Sequence, residues 1–107
     1  MKIIVRATNI ELTEPLKEYI NMRIEPLSKF LGKMDLEGAV EAQVEVGRMT
    51  HHHHKGDVFR AEVNLHLPKK SLRAESETYD ARVAIDNVRD TLAREIKEYK
   101  ERISEMA

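Results

Sequence analysis

The sequence predicts a two-layer α+β domain of order β-α-β-β-β-α, with two helices packed on one face of a four-stranded sheet. Three observations predict it. Residues 38–77 alternate between apolar and polar side chains over three successive stretches. Residues 79–104 carry an apolar stripe at intervals of three and four. A β-branched run and a second stripe of helical spacing precede both.

The β-branched run K-I-I-V-R-A-T at 2–8 reads as the first strand. Thr13 then reads as a helix N-cap, with Glu14 and Pro15 in the first turn, where both are tolerated. Leu16, Tyr19, Ile20, Ile24, Leu27 and Leu31 follow at helical spacing. Pro26 removes the hydrogen bond to the Met22 carbonyl, so a kink or restart is expected there, and Gly32 is the expected stop. Over 38–47, Val40, Ala42, Val44 and Val46 share one face while Glu41, Gln43 and Glu45 share the other. Over 58–67, Phe59, Ala61, Val63, Leu65 and Leu67 oppose Arg60, Glu62, Asn64 and His66. Over 71–77, Leu72 and Ala74 oppose Arg73, Glu75 and Glu77. Such a run makes an antiparallel meander that is apolar on one side. Its first link, Arg48 to Gly56, is long and polar; its second, Pro68-Lys69-Lys70, is tight. The final helix needs cover for Ala81, Ile85, Val88, Leu92, Ile96, Tyr99 and Ile103, and the inner face of the sheet supplies it.

A chain of 107 residues has room for a single domain with one modest core. Without Cys it has neither disulfides nor thiolate metal sites. No run approaches the ~18 apolar residues of a membrane span, and the first residues lack the apolar length of a signal peptide, so a soluble cytoplasmic protein is expected. No nucleophile elbow, P-loop or dinucleotide fingerprint is present, and Ser28, Ser71, Ser76 and Ser104 have no motif around them. An enzyme is not expected, and neither a catalytic residue nor a cofactor is assigned.

The formal net charge is -1 although charged residues make up 35% of the chain. Nucleic-acid binders often announce themselves by a high pI. An RNA ligand therefore requires the basic groups to be sorted onto one surface. The open sheet face is not that surface: it leans acidic, and it lacks the exposed aromatics on which RNA-binding sheets stack bases. The last helix differs. With Ile85 at zero and an advance of roughly 100° per residue, Arg82, Arg89, Lys97 and Lys100 fall within roughly 40–120°, beside the apolar stripe. Asp86 is the one acid in that window, and Arg94 points outward. The first helix adds Lys17, Arg23 and Lys29. Such groups suit a non-specific phosphate clamp, although i,i+4 pairs such as Arg82/Asp86 also solvate ordinary helices.

His51, His52, His53 and His54 form a tract in the long link. Imidazoles bind Zn, Ni or Cu, but consecutive residues of an extended chain point to alternate sides, so at most two converge. A polar loop tip is the simpler reading, and no metal ligand is assigned. The loop is also a candidate RNA contact, with Arg48 and Lys55 beside the histidines. Two other readings stay open: a metal-responsive binding protein built on the His tract, and a protein–protein module using the acidic sheet face or a strand edge.

Several words in order carry a resemblance: I-V-R-A-T-N-I-E-L-T-E-P-L-K-E-Y-I at 4–20, G-D-V-F-R-A-E-V-N-L-H-L-P at 56–68, L-R-A-E at 72–75, A-I-D at 84–86 and L-A-R-E-I-K-E-Y-K at 92–100. The chain resembles the ribosome hibernation promoting factor family, also called protein Y or ribosome-associated inhibitor. The resemblance implies a fold akin to double-stranded-RNA-binding domains. It implies binding to the small ribosomal subunit, on ribosomal RNA in the channel used by mRNA and the A- and P-site tRNAs, and inhibition of translation under stress. Carried over by position, the family's basic residues become Lys17, Arg23 and Lys29 on the first helix and Arg94, Lys97, Lys100 and Arg102 on the second; Arg89 comes from the helical angles alone. Thr91 and Glu98 stand where the family often has Lys. Residues 1–107 are expected to form one ribosome-binding domain without the C-terminal dimerisation domain of long members, whether as a short member or as the first domain of a long one.

Overall fold

The structure, a computed structural model, describes residues 1–49 and 56–106. The strands are β1 (Lys2–Thr8), β2 (Glu41–Met49), β3 (Val58–His66) and β4 (Ser71–Thr78), and they lie side by side in that order. β2, β3 and β4 form the expected antiparallel meander, with Val44 opposite Val63 and Val63 opposite Ala74. β1 runs parallel to β2, Val5 opposite Val44. A parallel neighbour demands a crossover, and the segment between β1 and β2 provides it.

That crossover contains α1 (Glu14–Ile24), a 3-10 turn over Glu25–Leu27, the single helical turn α2 (Ser28–Leu31) and a second 3-10 stretch over Gly32–Gly38. Thr13 caps α1 by accepting from the Leu16 amide at 3.3 Å. The interruption falls at Pro26, as its missing N–H requires. Gly32 ends α2 at φ 55, a conformation that costs residues with a Cβ. The 3-10 stretch delays β2, which begins at Glu41 rather than near residue 38. Gly47 is also specific: a Cβ there would sit 2.9 Å from the Thr8 carbonyl oxygen across the parallel ladder.

The remaining helix, α3 (Ala81–Met106), starts after Asp80, whose carboxylate accepts from the Arg82 amide at 2.7 Å. It lies on β3 and β4 and alongside α1. The core is one cluster between the layers. Leu16, Ile20 and Ile24 meet Val44, Val46, Val63 and Leu65, with Ile85, Val88, Leu92 and Ile96 from α3. No polar or charged residue is buried among those described. One expectation fails: Ile103, assigned to the buried stripe, is 43% exposed. A 26-residue helix is about 39 Å long. Strands of 9 residues reach only about 30 Å. The last turns of α3 therefore overhang the sheet.

Candidate nucleic-acid interface

The apolar stripe sets the rotation of α3. With Ile85, Val88, Leu92 and Ile96 against the sheet, the flank at roughly 40–120° is turned toward α1 and α2. The contacts confirm it. Arg82 holds its guanidinium 5.0 Å from the centre of the Tyr19 ring on α1, and Arg89 holds its own 6.0 Å from the centre of the Phe30 ring on α2. Lys100 donates to the Phe30 carbonyl at 2.8 Å. The basic flank thus lines a furrow between α3 and the crossover helices.

Asp86 lies in the middle of this flank, and α1 neutralises it. The Tyr19 hydroxyl donates to Asp86 Oδ1 at 2.6 Å, and Arg23 Nε donates to the same oxygen at 2.8 Å. The hydrogen bond to Asp86 is the main reason the Tyr19 hydroxyl titrates above its ordinary value; burial adds to it. The acid that interrupted the basic window in sequence is therefore already paired.

At the far end of the furrow a groove of about 560 Å³ opens beside Phe30. Phe30 and Ala93 form its floor, and Arg94, Lys97, Lys100 and Glu101 stand around it. Among the described residues neither Lys97 nor Lys100 makes an ion pair. Arg94 approaches Glu98 at only 4.0 Å and Arg89 approaches Asp90 at 3.1 Å, both in partly exposed pairs that contribute little. A second depression of about 380 Å³ adjoins it, between Lys33, Lys100 and Ile103.

Of the residues singled out from sequence, Arg89, Arg94, Lys97 and Lys100 converge on the furrow, and Lys29 is exposed next to Phe30 on α2. Arg23 is there too, committed to Asp86. Lys17 is two residues before Tyr19 and so points about 160° away from it around α1, on the side turned from α3. Arg102 is exposed and lies outside the groove. Arg48, at the end of β2, is exposed and 4.0 Å from Asp57. His51, His52, His53, His54 and Lys55 lie outside the described residues. Among the described residues no grouping of His, Asp and Glu has metal-ligand geometry. Phe30 and Lys33 also border these depressions, and no motif marks either of them. The available signal was an aromatic off the apolar stripe with a lysine on either side.

The open sheet face is occupied by its own charges. Arg60 pairs with Glu62 at 2.8 Å and with Glu75, while Arg73 reaches Glu62 and Glu75 at 3.0 Å each. Arg73 is the main cause that holds the Glu62 carboxyl down at about 2; Asn64 and Arg60 add to it and burial opposes it. Arg60 and Arg73 have carboxylate partners already, which leaves Lys2 and Arg6 of β1 as the cations of this face without an ion pair among the described residues, Arg6 beside Glu45 and Glu62.

Residues 3–104 match the sequence profile described as Sigma 54 modulation protein / S30EA ribosomal protein. The chain belongs to this family. A ribosome hibernation promotion factor of Picosynechococcus sp. is 28% identical to this S30EA-family chain over 106 residues, covering 95% of the chain and 50% of that protein. The ribosome hibernation promoting factor of Escherichia coli K12 is 24% identical over 105 residues, covering 98% of the chain and 99% of that protein. The S30EA-family chain thus spans about half the length of the first relative and nearly all of the second. The crystal structure of the Thermus thermophilus Protein Y N-terminal domain matches with a TM-score of 0.74 at 24% identity, over 92% of this chain and 99% of that one. That likeness bears out the α+β fold with its four-stranded sheet.

Proposed function

We propose that this chain is a ribosome-hibernation domain. Residues 1–107 act as one ribosome-binding unit, which lays the furrow between α1/α2 and α3 on small-subunit ribosomal RNA. It occupies the channel of mRNA and the A- and P-site tRNAs and so inhibits translation under stress. Its action is occupancy rather than catalysis, and its place is the cytoplasm, with the ribosomes. The family and the names of its relatives support a ribosome-associated hibernation role. The observation that carries the RNA reading is the furrow itself, in which Asp86 is neutralised and Arg89, Lys97 and Lys100 stand in a row. Lys29 and Arg94 flank that row; Lys17 and Arg102 touch phosphates where the RNA extends past the furrow.

Sedimentation with ribosomes across a salt series tests this. The chain is expected to travel with the small subunit at low salt and to leave it steeply as salt rises, since each phosphate contact releases counterions. Failure to co-migrate at low salt would overturn the proposal.

A further inference from the structure

Phe30 is a large apolar side chain left 41% exposed at a groove that Arg94, Lys97 and Lys100 border together with Glu101. Its neighbours Leu27 and Leu31 are fully buried and pin the short crossover helix to the core. Its carbonyl is held by Lys100 at 2.8 Å, and the Arg89 guanidinium sits 6.0 Å from the ring centre. The backbone that carries the ring is thus tied to α3, and the exposed part of the ring borders the groove. The space before it, about 560 Å³, falls within the size range of small-ligand sites.

Resting on the RNA reading above, we propose that the Phe30 groove is a stacking subsite for one unpaired RNA base. The base lies on the Phe30 ring and over Ala93, and its flanking phosphates are held by Arg94, Lys97 and Lys100. Glu101 and Ser104 at the edge supply polar groups to the rim of the base. The charge around the groove favours this occupant: Arg94, Lys97 and Lys100 outnumber Glu101 there, and a nucleotide brings phosphates to them where an apolar protein side chain would only fill the floor. Bases of a continuous double helix are stacked on one another, so an aromatic platform beside a phosphate track serves a single-stranded or bulged segment. The domain would then require an unpaired nucleotide at this end of the furrow, a demand that a purely electrostatic clamp does not make.

The chain contains no Trp, so Phe30→Trp places a single reporter on the platform. Its fluorescence is expected to be quenched by a short single-stranded RNA and not by the same strand with abasic sugars, which keeps the phosphates. Phe30→Leu, which keeps an apolar floor but no π-face, is expected to weaken binding of the intact strand roughly tenfold. It should leave the salt slope unchanged, while Phe30→Tyr restores affinity; thermal unfolding checks that each variant is folded. Equal binding of intact and abasic strands by the wild type, with Phe30→Leu indistinguishable from it, would overturn the stacking subsite. Lys97→Glu reads the parent proposal separately: if it still weakens binding, the electrostatic interface stands without the stack. A Phe30→Leu defect on whole subunits that vanishes on protein-free RNA identifies a protein side chain as the occupant and also overturns the subsite.

Discussion

Arg23 and Asp86, 63 residues apart in the chain, meet at 2.8 Å across the two helices that line the furrow. The Tyr19 hydroxyl shares the same carboxylate oxygen at 2.6 Å. One acid thus ties α1 to α3 and is silenced in the same contact. Both partners are about one-third exposed, which limits the energy of the pair but leaves the geometry intact.

Asp86→Ala separates those two roles. Loss of both hydrogen bonds is expected to lower stability by about 1 kcal/mol in urea unfolding. The furrow gains a positive charge, so low-salt RNA affinity should rise and its salt dependence steepen. Weaker RNA binding by a folded variant would mean that the helix tie matters more than the charge.

Charge reversal maps the extent of the interface. Lys97→Glu and Lys100→Glu should each reduce the slope of log affinity against log salt by about 1. Lys17→Glu and Arg102→Glu, outside the furrow, should change it less. A ranking with Lys17 or Arg102 first would move the interface onto the outer helix faces.

The acid limb of stability should report on the sheet face. Glu62 titrates near 2 when folded, against 4.5 as its ordinary value. Between those values the unfolded chain binds more protons, so stability rises with pH through this window and is lost as pH falls through it. Glu62→Gln should flatten the loss between pH 4.5 and pH 2 and leave RNA binding at neutral pH unchanged, because the face lies across the sheet from the furrow. Thermal melts over a pH series check the first point and RNA titration the second.

Gly47→Ala tests the parallel ladder. Its Cβ would press on the Thr8 carbonyl oxygen at 2.9 Å, and backbone there cannot step aside cheaply. A loss of about 2 kcal/mol is expected, within the range for overpacking. A neutral result would show that β1 shifts freely along β2.

Much of the fold was legible because periodicity is local. The alternation of Ala42, Val44 and Val46 placed the inner face of β2 correctly, and the spacing from Ile85 to Ile96 placed the buried side of α3. Pro26 marked the break in the crossover. Ile103 misled because a stripe continues in sequence after the sheet beneath it has ended. The 3-10 stretch Gly32–Gly38 has no period to read.

The site was legible only as a list of basic positions. Sequence alone determined which strands and helices form, which face of each is apolar, and that Arg82, Arg89, Lys97 and Lys100 share one flank of α3, since each follows from repeats of two or 3.6 residues along one element. Only the tertiary structure decided what that flank faces. It joined Asp86 to Arg23 and Tyr19, set Phe30 under Arg89, and left Lys17 on the far side of α1. Pairing of charges depends on distance through space, and no periodicity carries that distance between residues on different elements.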